Sequence, residues 1–479
     1  MNIKHIILSG AVLALLAACE SGYKRPDSYA KSQPQIFPDY AGVTLPCNIA
    51  PTNFRVEQKG EAYQVVVTSG GKEYFRSVST DADVVMPEDT WHDMLNENKG
   101  GKITVTIGVK QQGKWTEYTP ITNFISTDTI DSHLAYRLIY PGYELWNEMG
   151  IYQRNLTNFE ETAILDNRSI DKKCVNCHTF RQNSTADFMI HVRGKNGGTL
   201  ISHNGSVRKV TPRCATVKNG ATYARWHPSG QFIAFSMNEI QQFFHSSGKK
   251  PIEVSDLAAD LGVYDIERDE IITSPELSDD SAMETFPEWS PDGKTLFFCR
   301  GNAYTKGVPF DSLRYDLWCV SFDAKTRQFG KPKCLYEASA THHTVSLPRV
   351  SPDGRYVVFV EFNYGNFSIW HPEADLAMID LKTGRVRRLN EVNSLNVESF
   401  HTWSSTGRWI VFSSKRMDGG WARPYFAHFD KRTGRFTKPF VLPQESPSFY
   451  DTFMKTYNLP ELITSPVGNQ KELIEALGY

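Results

Sequence analysis

The sequence predicts an all-β chain in two parts, a small sandwich followed by a ring of repeated units. Two observations carry this. From about Leu45 to Ser126 the apolar residues alternate with polar ones over short runs broken by turn residues. In the second half, one short pattern returns four times. A chain of 479 residues has room for two or three domains at roughly 100–200 residues each.

The first part contains Tyr63-Gln64-Val65-Val66-Val67, Ile103 to Val109 and the stretch Trp115 to Ile125, all of strand character. Pro87–Leu95 reads as a helical turn or more between them. About 80 residues of short strands and turns suggest an immunoglobulin- or fibronectin-like sandwich over 45–126. A connector follows over 127–173, rich in Tyr, Trp and Asn. Its Tyr140–Trp146 segment is either ordinary junction packing or a cover for the cofactor edge argued below.

The four repeats open on Arg225-Trp226-His227-Pro228-Ser229-Gly230, Glu288-Trp289-Ser290-Pro291-Asp292-Gly293, Arg349-Val350-Ser351-Pro352-Asp353-Gly354 and Thr402-Trp403-Ser404-Ser405-Thr406-Gly407. Each runs into an apolar strand such as Thr295–Phe298 or Tyr356–Phe359. Pro presets φ, Asp caps the turn and Gly takes the positive φ. The Trp before the turn is expected to fill the wedge between units. These segments resemble the repeat of TolB-like and WD-type β-propellers, over about residues 178–445. The spacings exceed a compact blade, and the surplus is assigned to loops such as Gln241–Val254 and Gly301–Leu313. A fifth, degenerate copy has Asp187–Val192, Thr199–His203 and Val207–Val210 as strands, with Cys177-His178-Thr179 in the place of the Trp-Ser-Pro turn. Five repeats are visible, and a sixth is expected from Leu134–Ile164 or from the C-terminal end. The propeller is placed over 174–448, and 449–479 is read as a tail whose Gln470–Leu477 forms a short helix.

The N-terminus is a targeting segment. Lys4 and His5 precede an apolar run, Ile6–Leu16, too short to span a bilayer. It ends in Leu16-Ala17-Ala18-Cys19, which resembles the lipobox of bacterial lipoproteins. That resemblance implies a signal peptide over 1–18, a lipidated Cys19, a tether over 19–44 and membrane association through the lipid anchor. The expected location is the cell envelope, on an outer membrane and facing the periplasm.

Lys173-Cys174-Val175-Asn176-Cys177-His178 contains C-x-x-C-H, the attachment signature of c-type haem. Two thiols separated by two residues reach the two vinyl groups on one porphyrin edge. The following His then faces the iron from the proximal side. A zinc site would need a second Cys/His pair, and the chain has no other C-x-x-C. The reading is one haem c, with Cys174 and Cys177 as thioethers and His178 on the iron. For the distal ligand, Met189 and His191 share a strand face, with His342, His343, Met283, His401 or an open position as alternatives. Arg193, on that same face, is a candidate partner for a haem propionate. Of the eight cysteines, Cys47, Cys214, Cys299, Cys319 and Cys334 are left over, an odd number. Cys319 and Cys334 flank a hairpin, either paired across it or as free thiols.

The whole chain looks like the exported TolB-like propeller proteins with an embedded C-x-x-C-H of Bacteroidetes-type bacteria. That resemblance implies haem binding in the periplasm and supplies no reaction. The net charge of −2 points to no nucleic-acid partner. The leading expectation is an anchored cytochrome whose haem carries electrons and whose propeller docks a redox or other protein partner. A haem-dependent redox enzyme, or a haem-based sensor or scaffold, is the alternative. A propeller-type peptidase is disfavoured by the lack of a G-x-S-x-G nucleophile elbow.

Overall fold

The computed structural model describes residues 22–140, 147–212, 220–246, 250, 252–278 and 280–479. The lipobox with Cys19, the thiol of Cys214 and all but Tyr140 of the Tyr140–Trp146 segment lie outside the described residues.

Two sheets and one helix make up the first part. Lys102–Gln111 pairs with Ala62–Ser69, Lys114–Glu117 and Ile121–Ile125 in a seven-stranded sheet, faced by a three-stranded one of Ile36–Phe37, Phe54–Val56 and Asp83–Val84. Val65, Val67, Ile103, Val105 and Ile107 alternate inward, as the period-2 pattern requires. The helical turn expected at Pro87–Leu95 is the helix Glu88–Glu97, which buries Trp91, Met94 and Leu95.

Six blades follow among the described residues, each a four- or five-stranded antiparallel sheet. Blade 2 is Cys174–Arg181, Ser184–Arg193, Gly198–His203 and Ser206–Val210. Blades 3 to 6 begin on the inner strands Ala221–Trp226, Ala282–Trp289, Thr344–Val350 and Glu398–Trp403. Blade 1 takes His133–Ile139, Met149–Asn155 and Glu161–Asp166 from before the repeats and its inner strand, Thr456–Ile463, from near the C-terminus. Each inner strand contacts the next, and Thr456–Ile463 contacts both blade 6 and blade 2, so the ring closes.

Several expectations are corrected here. The connector over 127–173 supplies three strands of a blade, and the tail over 449–479 supplies the fourth. The two sources weighed for a sixth blade therefore both contribute. The reason is edge closure: an open ring would leave unpaired strand edges at both ends, and pairing the chain's two ends removes them. Within Gln241–Val254, expected as a polar loop, Gln241–Phe244 and Ile252–Val254 pair as the far part of a long hairpin of Phe232–Phe244 and Ile252–Asp265. We call this extension the arm. The C-terminal helix, Gln470–Ala476, does form.

The turns behave as their residues demand. Ser290 Oγ donates to Asp292 Oδ1 at 2.6 Å, and Asp292 accepts from the Lys294 amide. Gly293 has φ +72°, and a Cβ there would strike the His227 ring, which belongs to the preceding blade and bonds the Gly293 carbonyl. Trp226, Trp289 and Trp403 are buried between blades, as expected. Cys319 and Cys334 remain free thiols on paired strands, with Cys334 opposite Trp318.

Candidate cofactor site on the channel axis

All six inner strands carry a bulge at the same level. In blade 2 it falls between Val175 and His178; in blades 3 to 6 between Thr222 and Arg225, Thr285 and Glu288, Ser346 and Arg349, and Ser399 and Thr402. In blade 1 it lies at Leu459 and Pro460. The first bulge residue adopts positive φ in five blades: Tyr223 (46°), Phe286 (53°), Leu347 (53°), Phe400 (48°) and Leu459 (52°). Bulky residues pay for that conformation, so its repetition marks a geometry imposed by the ring. These five side chains, with Cys177, border a void of about 30 Å³ on the axis, a pinch that divides the channel.

The haem motif spans this bulge. The bulge adds one residue to the blade 2 strand, so Asn176 and Cys177 together oppose His191. Without it, residues three apart on a strand point to opposite sides. With it, Cys177 opens on the axial void and the funnel, while Cys174 packs against Ile139 and Met149 of blade 1. Both thiols are free. Burial pushes the Cys174 thiol pKa up, against the opposing pull of Arg137 and Arg193.

This corrects the sequence alignment. Cys177-His178-Thr179 does not stand in for the Trp-Ser-Pro turn. Gln182-Asn183 makes the turn in blade 2, and His178 aligns with Arg225, one residue before the Trp. The motif therefore lies at mid-channel and not at the rim. Trp-rich copies offered a tempting match by chain spacing, and the one-residue bulge was invisible in that spacing.

His178 is fully buried. Neither ring nitrogen has a hydrogen-bond partner of good geometry, although the Leu459 carbonyl comes near. Burial first, then Arg225 and Arg137, holds its pKa down at about 3, so the ring is neutral. Its edge packs on Phe180, with centroids 5.9 Å apart. A buried imidazole without partners forfeits roughly 1–3 kcal/mol. A neutral imidazole is also the form that binds a metal.

On one side of the pinch lies a funnel. Its wall holds Arg137, Asn176, Cys177, Arg193, Phe367, Trp370 and Lys415, and the arm roofs it with Ile240, Gln242, Ile252 and Val254. With the arm down it encloses about 120 Å³, below the roughly 300–1,000 Å³ of small-molecule pockets. The arm is pinned by Lys250, whose Nζ donates to Tyr364 Oη at 3.1 Å and lies 3.4 Å from Glu373, and by Phe243 against Phe310. Arg137 Nη1 donates to the carbonyl and Oδ1 of Asn176 and so braces the bulge; its Nε has no partner.

The other expected ligands lie elsewhere. Met189 faces away from His178 and packs in the core between blades 2 and 3 with Ile201 and Trp226. His191 Nδ1 pairs with Thr199 Oγ1 at 3.1 Å, and burial holds its pKa near 4. His401 is buried in the inner strand of blade 6 with its Nε2 against the Val358 carbonyl. Met283 Sδ accepts from Tyr315 Oη. His342 and His343 precede the inner strand of blade 5 and line neither cavity. Arg193 does line the funnel. Sequence reasoning missed Arg137 and Lys415, because their neighbours come from distant blades and no local pattern marks them. Among the described residues, no group of three or more His, Cys, Asp and Glu side chains is placed to hold a metal unaided.

On the far side of the pinch the channel widens to about 380 Å³, lined by Arg225, Glu288, Arg349, Thr402 and Glu461 and by the Trp and Pro residues of the turns.

No family model and no curated protein sequence matches the chain. Among solved structures, the chain is similar to a prolyl endopeptidase at 12% identity and a TM-score of 0.36, over 57% of this chain and 36% of that one. It is similar to an oligogalacturonate lyase at 15% and 0.25, over 60% and 55%, and to a Lactobacillus plantarum protein at 11% and 0.32, over 81% and 98%. The chain thus spans little over half, or less, of the first two.

Proposed function

We propose that the protein is a lipid-anchored c-type cytochrome of the cell envelope, with one haem c joined to Cys174 and Cys177 and His178 as proximal ligand. The observation that carries this is His178 at the bulge: directly after Cys177, with which it borders the axial void, stands a buried, neutral imidazole with no hydrogen-bond partner of good geometry. The side-chain chemistry suits the group, while the roughly 120 Å³ funnel would admit a porphyrin only with the arm raised. Cys177 and His178 border one void, and the funnel on the same axis supplies aromatic walls and cations.

When bound, haem supplies a one-electron store. The protein's part is to hold it on the axis, keep water from it with Trp370, Phe367 and the arm, and leave the ring's outer faces free for a partner. Electron carriage with a docked protein partner is the activity this favours. The TolB-like class, the periplasmic side of an outer membrane and the anchor at Cys19 belong to the same reading.

The test is expression in a host that attaches c-type haem, followed by denaturation and organic extraction. A visible haem spectrum that stays with the polypeptide, and is lost in C174A/C177A, supports the reading. Haem that extracts freely from the natural chain contradicts it.

A further inference from the structure

The funnel has a charge imbalance that the motif does not explain. Its described lining contains Arg137, Arg193 and Lys415 and no carboxylate. Lys415 is 7% exposed. It rests 4.1 Å above the Trp370 ring and makes no ion pair within 4 Å among the described residues. Burial pushes its pKa down to about 8, with only Asp418 pulling the other way. Arg137 is half-buried, and its pKa too is lowered by burial. Buried cations without counter-charges are unstable arrangements unless a ligand completes them.

The position of the cations matters as much as their sign. Lys415 follows the second strand of blade 6, Trp409–Ser414, and Trp370 lies in blade 5. In a six-membered ring, blade 5 stands opposite blade 2, which carries the two thiols. Arg137 is engaged with Asn176 and braces the motif. Arg193 and Lys415 are the cations left for a ligand. The walls between are flat and apolar, from Tyr223, Phe367, Ile369, Trp370 and Phe400.

We infer that the funnel is a binding site for a flat apolar molecule bearing carboxylates, with Lys415 as the principal carboxylate partner, Arg193 as the second, and the arm closing over it. This rests on the haem reading and deepens it. In a haem-bearing chain the carboxylates are the propionates, so Lys415 fixes which way the ring lies. Charge-assisted bonds of this kind contribute about 1.5–3 kcal/mol each, which is at least tenfold in affinity.

The experiment uses the full chain produced without haem attachment, and two probes that differ only in their carboxylates, protoporphyrin IX and its dimethyl ester. Quenching of tryptophan fluorescence reads binding. Tighter binding of the free acid, by about tenfold or more, is expected, and K415Q/R193Q should erase that preference while the ester binds as before. Equal binding of the two porphyrins, binding of neither, or an unchanged preference in K415Q/R193Q would overturn the inference. A second arm uses the haem-loaded chain. There K415Q should keep covalent haem and lower the reduction potential, while the surface variant K438Q leaves it unchanged; a potential indifferent to K415Q counts against the inference. A chain with no covalent haem but with the porphyrin preference would sink the haem reading and leave the funnel intact.

Discussion

The two ends of the axial channel solve the same electrostatic problem in opposite ways. At the turn end, Arg225 lies 3.1 Å from Glu288 and 3.8 Å from Glu461, and Arg349 lies 3.6 Å from Glu288. Signs alternate around the mouth, and each charge has a neighbour of the other sign. At the arm end, Lys415 and Arg193 have no such neighbour among the described residues. The mouth's charges stand on the inner strands, and the funnel's stand on or just after the second strands of blades 1, 2 and 6. A ring of β-strands therefore tolerates buried charge in either form, but only the paired form is complete in the protein alone. The paired mouth is structural by this account, and the unpaired funnel is a place for a ligand.

Ways to break the comparison differ in size. Trp289→Ala removes a wedge from the paired mouth and should cost about 3–5 kcal/mol in denaturant unfolding. Glu288→Gln leaves Arg225 and Arg349 facing each other without their shared carboxylate. A loss of about 3 kcal/mol is expected, and phosphate should restore part of it, because the mouth then resembles the funnel. Phosphate-independent stability in this variant would deny the resemblance.

Asp256 sharpens the contrast on the arm side. It is buried, accepts hydrogen bonds from Asn238 and Tyr315, and burial raises its pKa to about 7. Its folded value stands above its unfolded one, so the proton binds more tightly in the native state. The stability from this group is present below about pH 4 and is lost as pH rises toward 7. Asp256→Asn should flatten that fall in a series of unfolding midpoints. The smallest effect is expected from Lys250→Ala. Its contacts are partly exposed, so the melting temperature should hold within the effect of about 0.5 kcal/mol. Uptake of protoporphyrin IX should nonetheless be faster, since the arm's pin is gone.

Comparison of the inner strands explains what could be read from the sequence. Trp-Ser-Pro-Asp-Gly gave the blades because its turn chemistry is local: Ser290, Asp292 and Gly293 satisfy one another within four residues. The C-x-x-C-H motif was equally legible as a string. Its setting was not. The bulge at Asn176-Cys177 follows from register against Ser184–Arg193, and positive φ at Phe286 or Leu347 has no residue signature. Closure by Thr456–Ile463 joins strands more than 300 positions apart. Arg137, Lys415 and the arm owe their roles to those long-range arrangements, and so the funnel lay beyond any local pattern.

The most direct measurement uses the chain's own cleavage sites. Lys173 and Arg181 bracket the motif, so trypsin releases Cys174–Arg181 as one peptide. After expression with haem attachment, this peptide should absorb visible light and carry the mass of one haem, with neither thiol open to alkylation. A colourless peptide with two alkylated cysteines would contradict the account.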